Sequence, residues 1–180
     1  MARRTTAATL SPERQLASFL AKYTPEIAAQ TEAVLAKMRE RLPGAVEMVY
    51  DNYNALVIGF GAEDRPREAV FSIAVYPDHV TLVFIWGVDL FDPDKLLRGG
   101  GNQVRHIKLA GPETLDDPRV SALITEAIAR SARPFDDTQP GRMVIRMIAP
   151  KQRPRRPARA PAKARTSAPA PTRARKKGQR

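Results

Sequence analysis

Residues 69–86 read AVFSIAVYPDHVTLVFIW. Two runs of aliphatic, aromatic and β-branched residues, 69–76 and 80–86, flank the turn signal Pro77-Asp78. A link this short closes an antiparallel hairpin, because parallel strands need a long crossover. In the second run Val80, Leu82, Phe84 and Trp86 alternate with Thr81, Val83 and Ile85. Both faces are almost wholly apolar, which predicts an interior strand.

Working outward, 46–50 and 55–60 share this composition, and Glu63-Asp64-Arg65-Pro66 marks the next turn. Residues 104–109 and 142–148 read as further strands. Ser11-Pro12-Glu13 and Thr24-Pro25-Glu26 are helix starts: an oxygen cap, a proline where no donor is needed, and an acid near the positive end of the dipole. They open helices over 12–22 and 25–42. In the second, Ile27, Val34, Leu35, Met38 and Leu42 fall on one face, and Pro43-Gly44 ends it. Asp92-Pro93-Asp94 predicts a short helical turn through Leu97. Asp117-Pro118 starts a last helix to about Ala132 with Val120, Leu123, Ile124, Ala127 and Ile128 inward. The expected class is α+β: a two-layer sandwich, an antiparallel sheet of five to six strands with the N- and C-terminal helices on one face.

The 180 residues carry a formal charge of +11 and no cysteine. Disulfide frameworks, thiolate zinc sites, iron–sulfur ligation and cysteine nucleophiles are thereby excluded. No run approaches the ~18–20 apolar residues of a membrane helix. Residues 1–150 hold eighteen Lys or Arg against nineteen Asp or Glu. The whole excess lies in 151–180, which has no acid: Lys151, Arg153, Arg155, Arg156, Arg159, Lys163, Arg165, Arg173, Arg175, Lys176, Lys177 and Arg180. Seven Ala and five Pro accompany these twelve cations, with no aromatic or branched aliphatic residue. Such a segment cannot bury enough apolar area to offset ordering entropy, so 151–180 is expected to be a disordered tail. The expected partner is a polyanion, nucleic acid above all, bound without sequence preference; the alternative is a solubilising tail whose contacts are incidental. Residues 1–10 read as a frayed N-terminus and 11–150 as the folded domain. Without an apolar signal-like run or cysteine, the expected location is the cytoplasm, with nucleoid association through the tail.

Two segments of the body carry candidate chemistry. Tyr50-Asp51-Asn52-Tyr53-Asn54 is polar and aromatic between two apolar strands: a binding wall, or a hairpin turn. Lys95, Arg98, the glycines from Gly99 to Gly101, and Arg105 could form an anion nest. The alternative is a helix stop and tight turn, since a phosphate loop runs from strand to helix and this one runs from helix to strand. Arg105, on the side of Ile107, either pairs with Asp92 or Asp94 or binds an anion. A composite ligand site is expected from Tyr50, Asn52, Tyr53, Asn54, Trp86, Lys95, Gly99, Gly101 and Arg105. No hydrolase motif, catalytic triad or calcium-loop spacing occurs. An enzyme acting on a small anionic metabolite remains a separate reading.

The motifs YDNYNALVIGF at 50–60, FSIAVYP at 71–77, and Leu90-x-Asp92-Pro93-x-x-Leu96-Leu97-x-Gly99-x-Gly101-x-x-x-Arg105-x-Ile107 resemble the bacterial YdhG-like family of unknown function. The likeness covers about residues 13–132. It implies a compact α/β sandwich. One branch of that family is described as a frataxin-like intracellular iron chaperone, so the resemblance also implies iron handling as an alternative function. A metallochaperone would draw weak ligands from acids such as Glu13, Asp116 and Asp117.

Overall fold

Ser11 and Thr24 each turn a side-chain oxygen toward the first turn of a helix. Ser11 Oγ accepts from the Arg14 N–H and Thr24 Oγ1 from the Ile27 N–H, both at 3.4 Å. The helices they open are α1 (Pro12–Leu20) and α2 (Pro25–Arg41). The structure, a computed structural model, describes residues 10–156. The expectation for 1–10 therefore falls, Leu10 apart, outside the described residues, as does that for 157–180.

The inward face of α2 carries Ile27, Thr31, Val34, Leu35 and Met38, spaced as one helical stripe requires. Val34, Leu35 and Met38 are fully buried, and burial of each such side chain stabilises by about 1.5–3 kcal/mol. After α2 the chain reverses at Gly44, whose φ is +74°. A Cβ at this glycine would lie 1.8 Å from the Asp136 carbonyl oxygen, so no side chain fits.

Six strands complete the sheet: β1 (Val46–Asp51), β2 (Leu56–Gly61), β3 (Ala69–Val75), β4 (Val80–Phe84), β5 (Arg105–Leu109) and β6 (Arg142–Ile148). Their order is β5-β4-β3-β2-β1-β6, with β4 interior as its two apolar faces predict. Helix α3 (Pro118–Ala129) separates β5 from β6 and buries Val120, Leu123, Ile124 and Ala127. One layer of the core runs straight across the sheet, pairing Ile145, Val49, Ile58, Ile73, Leu82 and Ile107 in register. This face packs against all three helices. The opposite face holds a small cluster of Val46, Met48 and Ala69, flanked by Tyr50, Ile85 and Val144.

The class is α+β, and β1 to β5 form the expected antiparallel meander. The sheet as a whole is mixed, because β6 pairs parallel with β1. The chain leaves β5, passes through α3 on the helical face and re-enters the sheet in the direction of β5. That long crossover sets the direction of β6; composition does not record it. Residues 92–97 form no helix. The Asp92 carboxylate accepts from the Leu96 and Leu97 N–H groups at 2.9 and 2.8 Å, while Lys95 takes φ +55°. A left-handed residue ends helical geometry.

The fold also continues past residue 150. Segment 151–156 rests on the end of the sheet where β1 turns into β2, held there by main-chain and side-chain bonds.

Candidate polyanion interface

The β1–β2 turn is closed by the Asn52 N–H donating to the Ala55 carbonyl at 3.0 Å. Beyond β6 the chain runs alongside this turn. The Ala149 N–H donates to the Asp51 carbonyl and the Arg153 N–H to the Tyr53 carbonyl, both at 2.9 Å. Two main-chain bonds thus lay 149–153 against the aromatic, polar segment 50–54.

Asp51 is the hub beneath them. Its side chain faces the helices and is fully buried. Lys22 Nζ lies 2.6 Å from Oδ2, and Arg155 Nη2 lies 2.8 Å from Oδ1. Arg155 Nη2 also donates to the Asn52 carbonyl, and its guanidinium carbon lies 5.7 Å from the centre of the Tyr23 ring. Gln152 accepts from Lys22 Nζ at 2.9 Å and donates to the Asp51 carbonyl at 3.3 Å. Burying two charges costs desolvation, and here charge-assisted hydrogen bonds offset it. Arg155 keeps two buried donors, on Nε and Nη1, without an acceptor among the described residues. Arg156 donates from Nε to the Tyr23 carbonyl at 3.0 Å and from Nη2 to the Ala21 carbonyl at 3.2 Å. This places a cation at the negative end of α1.

Tyr23 anchors the same corner. Its hydroxyl donates to the Val75 carbonyl and accepts from the Leu56 N–H, each at 3.0 Å. Burial pushes the phenol above its usual range.

Over this base lies an open cleft of about 530 Å³, lined by Asn54, Tyr76, Pro77, Arg153, Pro154 and Arg156. Tyr53 is 46% exposed, with the Arg153 guanidinium 5.9 Å from its ring centre. The Tyr76 ring stacks on His79, centroids 4.7 Å apart and planes 16° from parallel. His79 Nδ1 lies 2.8 Å from Asp78, and this hydrogen bond holds the Asp78 carboxyl below its usual range. Asp51 is thus buried in ion pairs and Asp78 is hydrogen-bonded to His79, while Arg153, Arg156 and Tyr53 are exposed and Tyr76 is half-buried.

The expected composite site is divided by the fold. Asn52, Tyr53 and Asn54 lie at this end. Tyr50 stands on the opposite face of the sheet, half-buried, its hydroxyl without a partner among the described residues. Trp86, Lys95, Gly99, Gly101 and Arg105 lie at the other end. Val80 pairs with Leu109 near the cleft and Phe84 with Arg105 away from it, about 14 Å of strand between them. Sequence proximity to a strand does not say which end of the sheet a loop occupies.

Arg105 pairs with neither Asp92 nor Asp94 among the described residues. Its Nη1 donates to the Gly101 and Val104 carbonyls at 2.5 and 2.8 Å, and its stem packs on Gly87, where a Cβ would lie 2.5 Å from the Arg105 Cβ. Gly99, at φ +118°, lets the loop return so that Arg98 and His106 exchange two main-chain bonds of 2.9 Å. The glycine run serves a tight turn. Lys95 is exposed there. Trp86 is 57% exposed at the mouth of a separate cavity of about 500 Å³ floored by Val70, Phe84, Leu90 and Ala127.

The acids considered for metal have basic or main-chain partners. Asp116 holds Lys37 and Arg41, and Asp117 caps α3 and pairs with Arg119 at 2.7 Å. Glu13 lies in the first turn of α1, where main-chain N–H donation and the Ser11 hydroxyl hold its carboxyl low. Among the described residues no three His, Cys, Asp or Glu side chains gather as a metal site. No helix is long and apolar enough to cross a membrane, again among the described residues. Of the tail cations, Lys151, Arg153, Arg155 and Arg156 are described; Arg159, Lys163, Arg165, Arg173, Arg175, Lys176, Lys177 and Arg180 lie outside the described residues.

No local signal in the sequence joins Lys22, Asp51 and Arg155 as one feature. Asp51 sits inside the polar, aromatic segment 50–54, but nothing near it marks an arginine 104 positions later as its partner. Compared with known proteins, the chain matches no family model, no curated protein and no solved structure.

Proposed function

We propose that this chain is a cytoplasmic binding module, YdhG-like in its body, that holds nucleic acid through its basic C-terminal segment without reading sequence. One observation carries the reading: the buried Asp51–Arg155 pair fixes the start of that segment beside the Arg153–Tyr53 surface. Eight further cations lie beyond it, from Arg159 to Arg180, so the polymer begins at a defined cationic corner of a nearly neutral body. Each Lys or Arg that neutralises a phosphate releases a counterion, and affinity falls with salt accordingly.

The test compares the full chain with one ending at Arg156, on RNA and DNA across a salt series. The shorter chain keeps the Asp51–Arg155 pair. Its log K against log salt plot is expected to flatten by up to about 7 in slope if all eight cations engage phosphates. Equal affinities and equal slopes would remove the tail from the mechanism.

A further inference from the structure

The corner where the basic segment starts does more than supply charge. A purely electrostatic arm needs no aromatic surface, yet Tyr53 stands 46% exposed with Arg153 beside its ring. Tyr76 borders the adjoining cleft with Asn54, Arg153 and Arg156. Pairing places the two tyrosines at the same end of the sheet: Leu56, at the end of the turn that carries Tyr53, is the register partner of Val75, next to Tyr76. Rings flanked by guanidinium groups are the arrangement that holds unpaired bases, since every base has a π-face and every nucleotide a phosphate. Asn54 adds an exposed amide able to donate and accept at a base edge.

The engagement of the other charges sharpens the point. Asp51 is neutralised by Lys22 and Arg155, and none of the six cleft-lining residues is an acid; Asp78, next to Pro77, keeps its charge but is hydrogen-bonded to His79. Lys22 and Arg155 bring two positive charges to the single negative charge of Asp51, which leaves the corner electropositive beneath its surface.

We infer that Tyr53 and Tyr76, with Arg153, Arg156 and Asn54, form a stacking site for single-stranded nucleic acid. This rests on the polyanion reading and gives it a preferred substrate class. In a duplex the bases already stack on each other, and only phosphates reach such a corner. The duplex is held by the basic segment alone, whereas a single strand gains the rings as well.

The experiment uses the full chain and three probes of equal length: an oligothymidylate, the same strand with abasic positions, and a duplex. At one fixed salt concentration the base-bearing strand is expected to bind more tightly than the abasic one, by about five- to a hundred-fold for each base stacked. Tyr53→Ala lowers affinity for the base-bearing strand by a larger factor than affinity for the duplex, and Tyr53→Phe, which keeps the ring, restores it. Equal affinity of base-bearing and abasic strands for the unaltered protein overturns the stacking site while the electrostatic reading stands. Absence of binding to all three probes overturns both. The abasic comparison needs no variant, so a folding defect in Tyr53→Ala does not obscure the result.

Discussion

Arg155 Nη2 lies 2.8 Å from Asp51 Oδ1, with both side chains at most 2% exposed. Residues 104 positions apart are thereby joined under the end of the sheet. Breaking a buried pair so that one charge is left unpaired costs about 3–5 kcal/mol. The two losses are unequal. Arg155→Ala leaves Asp51 with Lys22, whereas Asp51→Ala leaves the buried Arg155 with only the Asn52 carbonyl and the face of Tyr23. Asp51→Ala should therefore lower the urea midpoint further than Arg155→Ala. A chain ending at 150 should melt below one ending at 156. Identical midpoints for those two chains would mean that the pair contributes nothing.

Tyr23→Phe tests the neighbouring anchor. The substitution keeps the ring and removes one hydroxyl, leaving the Leu56 N–H and the Val75 carbonyl without that partner. Unfolding experiments should show a loss of about 1–3 kcal/mol. The phenol also predicts an alkaline limit. Its folded pKa is raised above 10.0 by burial, so the folded state holds the proton longer than the unfolded chain. The stability from this group is complete below pH 10 and is lost as pH rises toward the folded value. In an ultraviolet titration the Tyr23 phenol should ionise above 10.0, as the part of the transition that Tyr23→Phe removes. Loss of that part at or below 10.0 would contradict the burial.

These anchors show which parts of the structure local sequence can carry. Caps at Ser11, Thr24 and Asp117, the α2 stripe, and the hairpin at Pro77-Asp78 are signals within a few residues, and the structure contains each of them. The parallel partner of β1 is not legible in the chain, because direction depends on the path of 110–141 rather than on the composition of 142–148. The division of the composite site has the same origin. Tyr53 and Arg105 each look functional alone, but strand register sends them to opposite ends. The folded body extends beyond residue 150 for a related reason. Lys151 to Arg156 are basic and contain proline like the residues after them, and the acid that holds them lies about 100 positions earlier in the chain.

Asp117 offers a test confined to one local structure. It accepts from the Arg119 main-chain N–H at 2.9 Å and pairs with the Arg119 guanidinium at 2.7 Å. These bonds, the side-chain pair foremost, lower its pKa from 3.8 to about 2. A depressed acid contributes stability above its unfolded value and loses it as pH falls through the folded one, here between about pH 4 and pH 2. Carboxyl chemical shifts should place Asp117 as an early-ionising acid. Arg119→Ala should move its midpoint toward 3.8 while the cap bond from residue 119 keeps it somewhat lower. An unchanged midpoint would show that the guanidinium does not reach the carboxylate in solution.

Trp86 separates the two ends of the molecule in a single measurement. It is the only tryptophan and is 57% exposed, so acrylamide should quench it readily in the native protein. The Tyr53–Arg153 corner lies at the opposite end of the strands. A short oligothymidylate held there should leave Trp86 emission and its acrylamide quenching unchanged. Tyrosine emission should fall as Tyr53 and Tyr76 are covered. The length of the probe matters, because a long strand trailing along the basic segment could reach the far end. With a probe of about four to six nucleotides, the low end of a single-strand site, protection of Trp86 from acrylamide would mean that nucleic acid occupies the 500 Å³ cavity beside it instead of the cleft at Arg153.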